Sequence, residues 1–227
     1  MIILALDTTG TLASLAIRAD SQTVAGITIE SNDGFAHLIF PAIEKLRNEA
    51  NLPLDQIDCF AAASGPGSFT GVRVGLAAVK GLAEATGKPA LGVSNLRALS
   101  SFGKKSSFGK NRALRAVALD ARRSELYAAV YDSELRPVTP EAVLPFAAWL
   151  ETLDPEAAYE FISPVKLPLE GTPFAAMPFT APPGTLAAAV ALCAEYDGLQ
   201  GKWQDPAALD ANYVRHSDAE LSLKDRS

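Results

Sequence analysis

The chain has very few of the side chains that metal sites and hydrolytic sites most often use. Only two of its 227 residues are histidines, His37 and His216, and they lie far apart in the sequence. The His-Glu-x-x-His pattern of zinc peptidases is therefore missing. Ser68 lacks the flanking glycines of the Gly-x-Ser-x-Gly motif of serine hydrolases. We expect no catalytic residue and no metal ligand, and we interpret His37 as a polar residue of the first helix.

Cysteine and long apolar runs are also scarce. The only two cysteines, Cys59 and Cys193, lie in apolar surroundings, which is typical of small buried side chains in a reducing compartment. No apolar stretch approaches the length of a membrane span, and the first residues have neither the basic region nor the cleavage site of a secretory signal. The sequence predicts a cytoplasmic protein that makes no membrane contact.

Basic residues are outnumbered by acidic ones. The net charge is -6 and the isoelectric point is about 5.0. An acidic surface repels phosphate backbones, so we do not expect avid direct binding of nucleic acid. The length and the hydrophobic content of 48% suit one large domain or two small ones.

What the chain does have is a distinctive glycine-rich stretch at residues 64–87. An apolar strand leads into the tight turn Gly65-Pro66-Gly67, Ser68 can cap the helix that follows, and Gly87 ends it. The interior of this helix contains three glycines, each of which costs about 1 kcal/mol relative to alanine.

Three glycines spaced by four, Gly67, Gly71 and Gly75, line one face of this helix. A face without side chains lets another backbone approach closely. That backbone belongs either to a second protein chain or to the chain's own sheet, and the sequence leaves both possibilities open.

The first part of the chain is predicted to form an α/β lobe that ends at residue 103. Three strand-like segments precede a helix over residues 34–49, which Asn32 or Asp33 can cap and which we expect to bend at Pro41. Two further strands and two helices follow. This order predicts a mixed five-stranded sheet with helices on its faces.

The second part, residues 104–227, is predicted to be a smaller, degenerate lobe. It begins with a Lys-, Ser- and Gly-rich linker and contains two clear strands around the turn at residues 121–124. The remaining predictions are a strand at 138–144, a helix at 145–153, a strand at 158–163, Pro-rich and largely irregular chain at 171–183, a helix at 184–196, a strand at 210–215 and a frayed end at 219–227.

The loop Asp7-Thr8-Thr9-Gly10-Thr11 joins two predicted strands. Such a loop can cradle a nucleotide phosphate, with Ser68 at the helix start as a further anion contact, although Asp and Gly are also typical of an ordinary β-turn. Our candidate anion or nucleotide contacts are Asp7, Thr8, Thr9 and Ser68. A paired phosphate clamp needs a similar loop in the second part, but residues 120–123 contain no glycine.

Three segments together resemble the bacterial TsaB (YeaZ) family. They are ILALDTT at residues 3–9, SGPGSFTGVRVG at residues 64–75 and ALDARRSELY at residues 118–127, and the Tyr-x-Arg pattern at Tyr213 and Arg215 is similar to the end of the family's sequences. The resemblance implies an α/β fold of the actin-like ATPase (ASKHA, ribonuclease H-like) class, with a mixed five-stranded sheet and a degraded second lobe.

The resemblance also implies a function and partners. The chain would be a non-catalytic subunit of the complex that makes threonylcarbamoyladenosine beside the anticodon of tRNA, paired with its paralogue TsaD. ATP and a metal would bind to TsaD, the TsaE ATPase would join, tRNA would be met only through the complex, and no cofactor would belong to this chain. Homodimers would use the same surface, formed by the first two helices. The residues that we assign to this interface are Phe35, Leu38, Ile39, Ala42, Phe69, Gly71, Val72, Arg73 and Gly75.

The alternative from a different class is an active enzyme. It would be either an ATP-binding protein like the sugar kinases or a glycoprotease-like peptidase. Binding of Mg-ATP by the isolated chain, lost on replacing Asp7, would favour the kinase-like alternative.

Overall fold

A computed structural model describes residues 1–104 and 114–215, which form two five-stranded sheets with helices between and around them. The predictions for His216, for residues 219–227 and for most of the linker lie outside the described residues. The domain boundary after residue 103 stays a prediction. Within the described ranges, no helix has both the length and the apolar character needed to cross a membrane.

The first sheet is built from the N-terminal half of the chain. Its elements and their helices are β1 Ile3–Asp7, β2 Ala13–Ala19, β3 Gln22–Ile29, α1 Ile39–Glu49, β4 Cys59–Ala63, α2 Phe69–Thr86, β5 Ala90–Val93 and α3 Asn95–Ser100. β1, β2 and β3 form an antiparallel meander, and β4 and β5 run parallel to β1, which gives the order β3-β2-β1-β4-β5. Alternate residues face opposite sides: Leu4 and Leu6 pack with α1 and α2, whereas Ile3 and Ala5 face the other way.

The start of α1 differs from the prediction. The helix begins at Ile39 rather than at residue 34, and neither Asn32 nor Asp33 caps it. Residues 35–38 form a turn in which the amide of Leu38 donates to the carbonyl of Phe35 at 2.9 Å. Pro41 therefore lies in the first turn of α1, where a backbone N–H has no partner within the helix, and the expected bend is not required. His37 is exposed in the turn that precedes the helix.

The second sheet repeats the plan of the first. Its elements are β6 Leu114–Asp120, β7 Glu125–Tyr131, β8 Ala142–Pro145, α4 Phe146–Glu151, β9 Tyr159–Ile162, β10 Phe179–Thr180 and α5 Ala187–Leu199. β6, β7 and β8 form a meander, and β9 and β10 run parallel, so the order β10-β9-β6-β7-β8 matches that of the first sheet strand for strand. The prediction of largely irregular chain over residues 171–183 is confirmed, since only the two residues of β10 form a strand there. Residues 163–178 contain no helix equivalent to α2.

Two helices lie between the sheets and join the lobes. α5 packs on β1, β2 and β4 of the first sheet, and α3 packs on β6 and β7 of the second. One apolar cluster contains residues of both helices and of both sheets. Charged side chains also fix α5: Asp197 pairs with Arg97, and Glu195 pairs with Arg18 at 2.8 Å. The lobes therefore share a core.

Candidate functional site

The last residue of β1, Asp7, has a buried carboxyl group beside the loop that follows the strand. Asp7 is 2% exposed. Its Oδ1 accepts hydrogen bonds from the amide of Thr9 at 2.9 Å and from the hydroxyl of Thr9 at 2.6 Å, and its Oδ2 accepts one from the amide of Leu186 at 3.2 Å. Burial raises the pKa of Asp7, and these hydrogen bonds oppose that shift only in part. Both carboxyl oxygens are thus used within the chain.

The two threonines of this loop hold the neighbouring helices. The hydroxyl of Thr8 donates to the carbonyl of Gly71 in α2 at 2.6 Å. The hydroxyl of Thr9 accepts a hydrogen bond from Nδ2 of Asn95 in α3 at 2.6 Å, and its carbonyl accepts one from the amide of Ser68 at 2.9 Å. Both threonines are buried. The side chains of Asp7, Thr8 and Thr9 are therefore engaged within the chain, and their assignment as nucleotide contacts stays a prediction.

Ser68 caps α2, as predicted. Its hydroxyl accepts a hydrogen bond from the amide of Gly71 at 3.2 Å, and the residue itself is exposed. Gly87, in the left-handed conformation at φ 64°, ends the helix.

The glycine face of α2 packs against the chain's own loop. A Cβ added to Gly71 would lie 2.0 Å from the carbonyl oxygen of Thr8, and one added to Gly75 would lie 2.7 Å from the hydroxyl of Thr8. A Cβ on Gly67 would lie 2.9 Å from Cβ of Thr9. The hypothesis that this face receives a second protein chain is wrong, because the backbone that comes so close belongs to the loop after β1.

Most residues assigned to the partner interface face the interior of their own lobe. The six that the structure buries are Phe35, Ile39, Ala42, Gly71, Val72 and Gly75. Leu38 is half-buried, and only Phe69 and Arg73 are exposed. The prediction is corrected for the buried six: the apolar stripe that we took for an interface is the stripe by which the two helices pack on the first sheet.

The structure shows a different set of residues at the surface of these helices. We call it the outer face, and it consists of Phe40, Pro41, Val74, Ala77 and Gly81. Phe40 is 56% exposed, and Val74 is only partly buried. Apart from its chain neighbours and the backbone of its own helix, no atom of the described residues lies within 4 Å of the position of a Cβ on Gly81. Two sequence signals mark this face: Phe40 falls among the polar positions of α1, and Gly81 does not continue the four-residue spacing of the other glycines.

An aromatic and cationic cluster covers the start of α2. Phe69 is 50% exposed, and the guanidinium of Arg73 lies 3.8 Å from the centre of its ring. Nε of Arg73 donates to the hydroxyl of Tyr213 at 3.1 Å, and the rings of Phe69 and Tyr213 are 5.7 Å apart. Tyr213, which lies 140 positions after Arg73 in the sequence, thus holds Arg73 and Phe69 in place.

Residues 212–215, which we call the interlobe strap, connect the lobes. The amide of Asn212 donates to the carbonyl of Ser64 at 2.7 Å in the first lobe. Arg215 donates to the carbonyl of Ala121 at 2.9 Å and pairs with Glu125, both in the second lobe. The prediction of a strand here is wrong, since these residues form no strand, although they do pack back against the first lobe.

A cleft of about 300 Å³ opens between the lobes beside the strap. We call it the interlobe cleft, and its lining includes Gly67, Phe69, Arg123, Tyr127, Tyr213 and Arg215. The turn between β6 and β7 supplies Arg123 and has an unusual backbone, because Arg122, Arg123 and Ser124 are all left-handed at φ 63°, 56° and 61°.

The two sheets have the same strand order, they pack on shared helices, and a cleft lies between the lobes. These features define an α/β protein of the actin-like ATPase class. The family model for "TsaD: tRNA N6-adenosine threonylcarbamoyltransferase" matches residues 29–197. The chain therefore belongs to this family, in its TsaB (YeaZ) branch.

Individual relatives agree with that assignment. The chain is 30% identical to TsaB of Bacillus subtilis over 156 residues, which are 67% of this chain and 66% of that protein. It is 33% identical to TsaB of Escherichia coli over 135 residues, 59% of this chain and 56% of that protein. The solved structure of YeaZ from Pseudomonas aeruginosa has a TM-score of 0.78 and 26% identity, with 93% of this chain and 99% of that chain covered. The matches span less than two thirds of the length of the two curated relatives.

Proposed function

We propose that this chain is a non-catalytic subunit of the complex that makes threonylcarbamoyladenosine in tRNA, and that it forms a heterodimer with TsaD. The single observation that carries the non-catalytic assignment is the use of the loop after β1. Asp7, which precedes this loop, is buried and both its carboxyl oxygens accept hydrogen bonds, while Thr8 and Thr9 hold α2 and α3. In this chain these side chains stabilise the fold, which supports a role other than phosphate binding for them.

The outer face of α1 and α2 is our proposed contact with TsaD. The buried residues of the two helices belong to one apolar cluster on the same side of the first sheet, so their exposed residues face outward on that side. Phe40 supplies an exposed aromatic anchor, and Gly81 allows a partner helix to approach closely. The chain matches a family model named for TsaD, which supports a partner with a similar pair of helices. Phe69 and Arg73 extend this surface at the start of α2.

The remaining parts of the proposal follow from the same assignment. ATP and the metal would be bound by TsaD, the TsaE ATPase would join the pair, and tRNA would be met through the assembled complex in the cytoplasm. A homodimer of this chain would use the outer face and would therefore compete with the heterodimer.

The test measures assembly with purified TsaD by size-exclusion chromatography and calorimetry. Gly81→Leu places a large side chain where the isolated chain has open space, so the variant should fold normally and bind TsaD at least about tenfold more weakly. Gly184→Leu is the matched control, because its Cβ also meets no atom within 4 Å and it lies between β10 and α5, away from the outer face. Equal affinity of the two variants would refute the interface.

Two further measurements address the role in the complex. A tRNA modification assay should lose activity when this chain is omitted and should recover with the unsubstituted chain but not with Gly81→Leu. Calorimetry of the isolated chain with Mg-ATP should give no tight binding. Tight binding that disappears in Asp7→Ala would instead favour the kinase-like enzyme.

A further inference from the structure

Arg73, in the second turn of α2, is an exposed arginine without an acidic partner in the part of the chain that the structure describes. Within residues 1–104 and 114–215 its one hydrogen bond is the bond that Nε donates to the hydroxyl of Tyr213 at 3.1 Å. Arginines elsewhere do have acidic partners: Arg18, Arg97 and Arg136 each pair with an Asp or a Glu. The two terminal nitrogens of Arg73 therefore donate to no described residue, although the chain has 26 acidic and only 20 basic residues.

The guanidinium of Arg73 is nevertheless held in one place. Its central carbon lies 3.8 Å from the centre of the ring of Phe69, and the hydroxyl of Tyr213 accepts the hydrogen bond from Nε. Tyr213 is itself anchored, because the amide of its neighbour Asn212 donates to the carbonyl of Ser64 at 2.7 Å. A long side chain that is already held loses less conformational entropy when it binds a partner. Arg73 is thus preorganised to receive an acceptor.

The chemistry of this cluster favours a carboxylate on another protein. The terminal nitrogens of a guanidinium match the two oxygens of a carboxylate, to which they donate parallel hydrogen bonds. A nucleic-acid phosphate also has such oxygens, but the net charge of -6 opposes its approach. Arginine and tyrosine are enriched among the residues that dominate binding at protein interfaces. The rings beside Arg73 are available for such an interface, since Phe69 is 50% and Tyr213 is 46% exposed.

The cluster borders the outer face of α1 and α2. Val74 directly follows Arg73, and Ala77 lies four residues after it, so Arg73 and Ala77 are neighbours on the helix surface. Both Val74 and Ala77 belong to the outer face. A protein that covers the outer face therefore reaches the guanidinium as well.

We propose that Arg73 binds the carboxylate of an Asp or Glu side chain on the protein that docks on the outer face, and that Tyr213 is the positioning residue that holds the guanidinium for this contact. The inference rests on the proposed function, in which the docking protein is TsaD. It gives the interlobe strap a role in recognition, because the strap carries the hydroxyl that orients Arg73.

The first experiment measures the affinity of the full chain for purified TsaD by calorimetry. Arg73→Gln should weaken binding by about tenfold, because it removes a charge-assisted pair. Arg136→Gln is the matched control: it removes another exposed arginine, which lies in the second lobe and already pairs with Asp132, and it should bind within about twofold of the unsubstituted chain. Equal affinities of the two variants would overturn the proposal while leaving the proposed function intact. Failure of the unsubstituted chain to bind TsaD would refute the proposed function and the Arg73 contact with it.

The positioning role of Tyr213 is tested with a double-mutant cycle. Tyr213→Phe keeps the ring beside Phe69 and removes only the hydroxyl, so it should weaken binding of TsaD by about threefold. In the Arg73→Gln background the same substitution should have no further effect, because there is no guanidinium left to orient. A loss of the same size in both backgrounds would show that Tyr213 acts independently of Arg73.

A cross-linking experiment identifies the group on the partner. Carbodiimide joins an amine to a carboxylate that lies in contact with it, so the complex of Arg73→Lys with TsaD should give a covalent link from position 73 to one Asp or Glu of TsaD, located by mass spectrometry. Arg136→Lys should give no link to TsaD from position 136. A complex without a link at position 73 would overturn the assignment of a carboxylate. Weaker binding of tRNA to the complex containing Arg73→Gln, with an unchanged affinity for TsaD, would also overturn it and would assign Arg73 to a phosphate.

Discussion

Gly71 and Gly81 belong to one helix but have opposite surroundings, and this difference can be measured. Gly71→Ala would place a methyl group 2.0 Å from the backbone oxygen of Thr8 and would disturb the bond that Thr8 donates to the carbonyl of residue 71. Overpacking of this kind costs about 1–3 kcal/mol, which exceeds the gain in helix propensity. We expect urea denaturation to show a free energy of unfolding lower by about 2 kcal/mol or more.

Gly81→Ala is the control for this prediction. Its methyl group meets no atom within 4 Å, so only the helix propensity changes and the free energy of unfolding should rise by up to about 1 kcal/mol. If the two substitutions had the same effect, the close packing of α2 on the loop after β1 would be contradicted.

The buried carboxyl of Asp7 should make stability depend on pH. Its folded-state pKa lies above the ordinary value of 3.8, so between these two values the unfolded chain has released a proton that the folded chain still holds. The free energy of unfolding therefore falls as pH rises from 3.8 through the folded-state pKa. Asp7→Asn lacks this titration. We subtract the free energy of unfolding of Asp7→Asn from that of the unsubstituted chain. This difference should decrease as pH rises across that window and then level off.

Urea denaturation of both proteins over a series of pH values checks this expectation. The other titrating groups are common to the two proteins and cancel in the difference, provided that they lie apart from residue 7. A difference that is constant with pH, or that increases, would show that Asp7 is ionised in the folded state.

Among the secondary structure elements, α5 depends on charged side chains that are largely removed from water. Asp197 accepts a hydrogen bond from Nη2 of Arg97 at 2.9 Å and pairs with its Nη1, and the same arginine donates to the carbonyl of Leu135 at 3.1 Å. Removing one partner leaves the other charge buried, which costs about 3–5 kcal/mol in well-buried pairs. Because both side chains keep some exposure, we expect Asp197→Ala to lower the free energy of unfolding by about 3 kcal/mol.

A surface pair provides the comparison for α5. The side chains of Lys45 and Glu49 in α1 are both exposed, and Nζ of Lys45 lies 3.9 Å from Oε1 of Glu49. Glu49→Ala should change the free energy of unfolding by no more than about 0.5 kcal/mol in the same denaturation experiment. A loss from Asp197→Ala as small as that from Glu49→Ala would mean that the pair does not fix α5 to α3.

The sequence predicted elements best where local chemistry decides their ends. Ser68 and Gly87 mark the two ends of α2, and both act as predicted. The start of α1 was missed because Pro41 is compatible with a first turn as well as with an interior bend. β10 was missed because it has only two residues, and its pairing partner in β9 lies across a proline-rich segment. Short strands depend on partners that no local pattern reveals.

The candidate site shows the same limit. Gly67, Gly71 and Gly75 correctly indicated close approach of a backbone, but their spacing does not say which backbone. Thr8, in the loop after β1, is 63 residues away from Gly71 in sequence, and only the fold brings it beside α2. The buried stripe of α1 was mistaken for an interface because an apolar stripe looks alike whether it covers its own sheet or a partner.

At the scale of the whole molecule, the second lobe is less eroded than its sequence suggests. Its sheet has all five strands in the order of the first, and what is missing from residues 163–178 is the helix that would correspond to α2. Instead, Leu167, Leu169 and Phe174 cover that side of the sheet. The sequence predicted a degraded lobe because helices have stronger patterns than short strands, so their loss is easier to see.

The shared core predicts that the two lobes unfold together. α3 and α5 each pack on the sheet of the other lobe, so neither lobe can keep its core when the other unfolds. The two tryptophans report on different places: Trp149 is buried in the second lobe, and Trp203 packs on Gly198 of α5, next to Gln204, which bonds to β5 of the first lobe. Each variant with one tryptophan, Trp149→Phe or Trp203→Phe, should therefore give a urea transition by fluorescence that coincides with its transition by circular dichroism.

Comparing two probes within one variant removes the effect of the substitution itself on stability. A fluorescence midpoint that departs from the circular dichroism midpoint in either variant would show that the lobes are separate folding units, joined only by the strap.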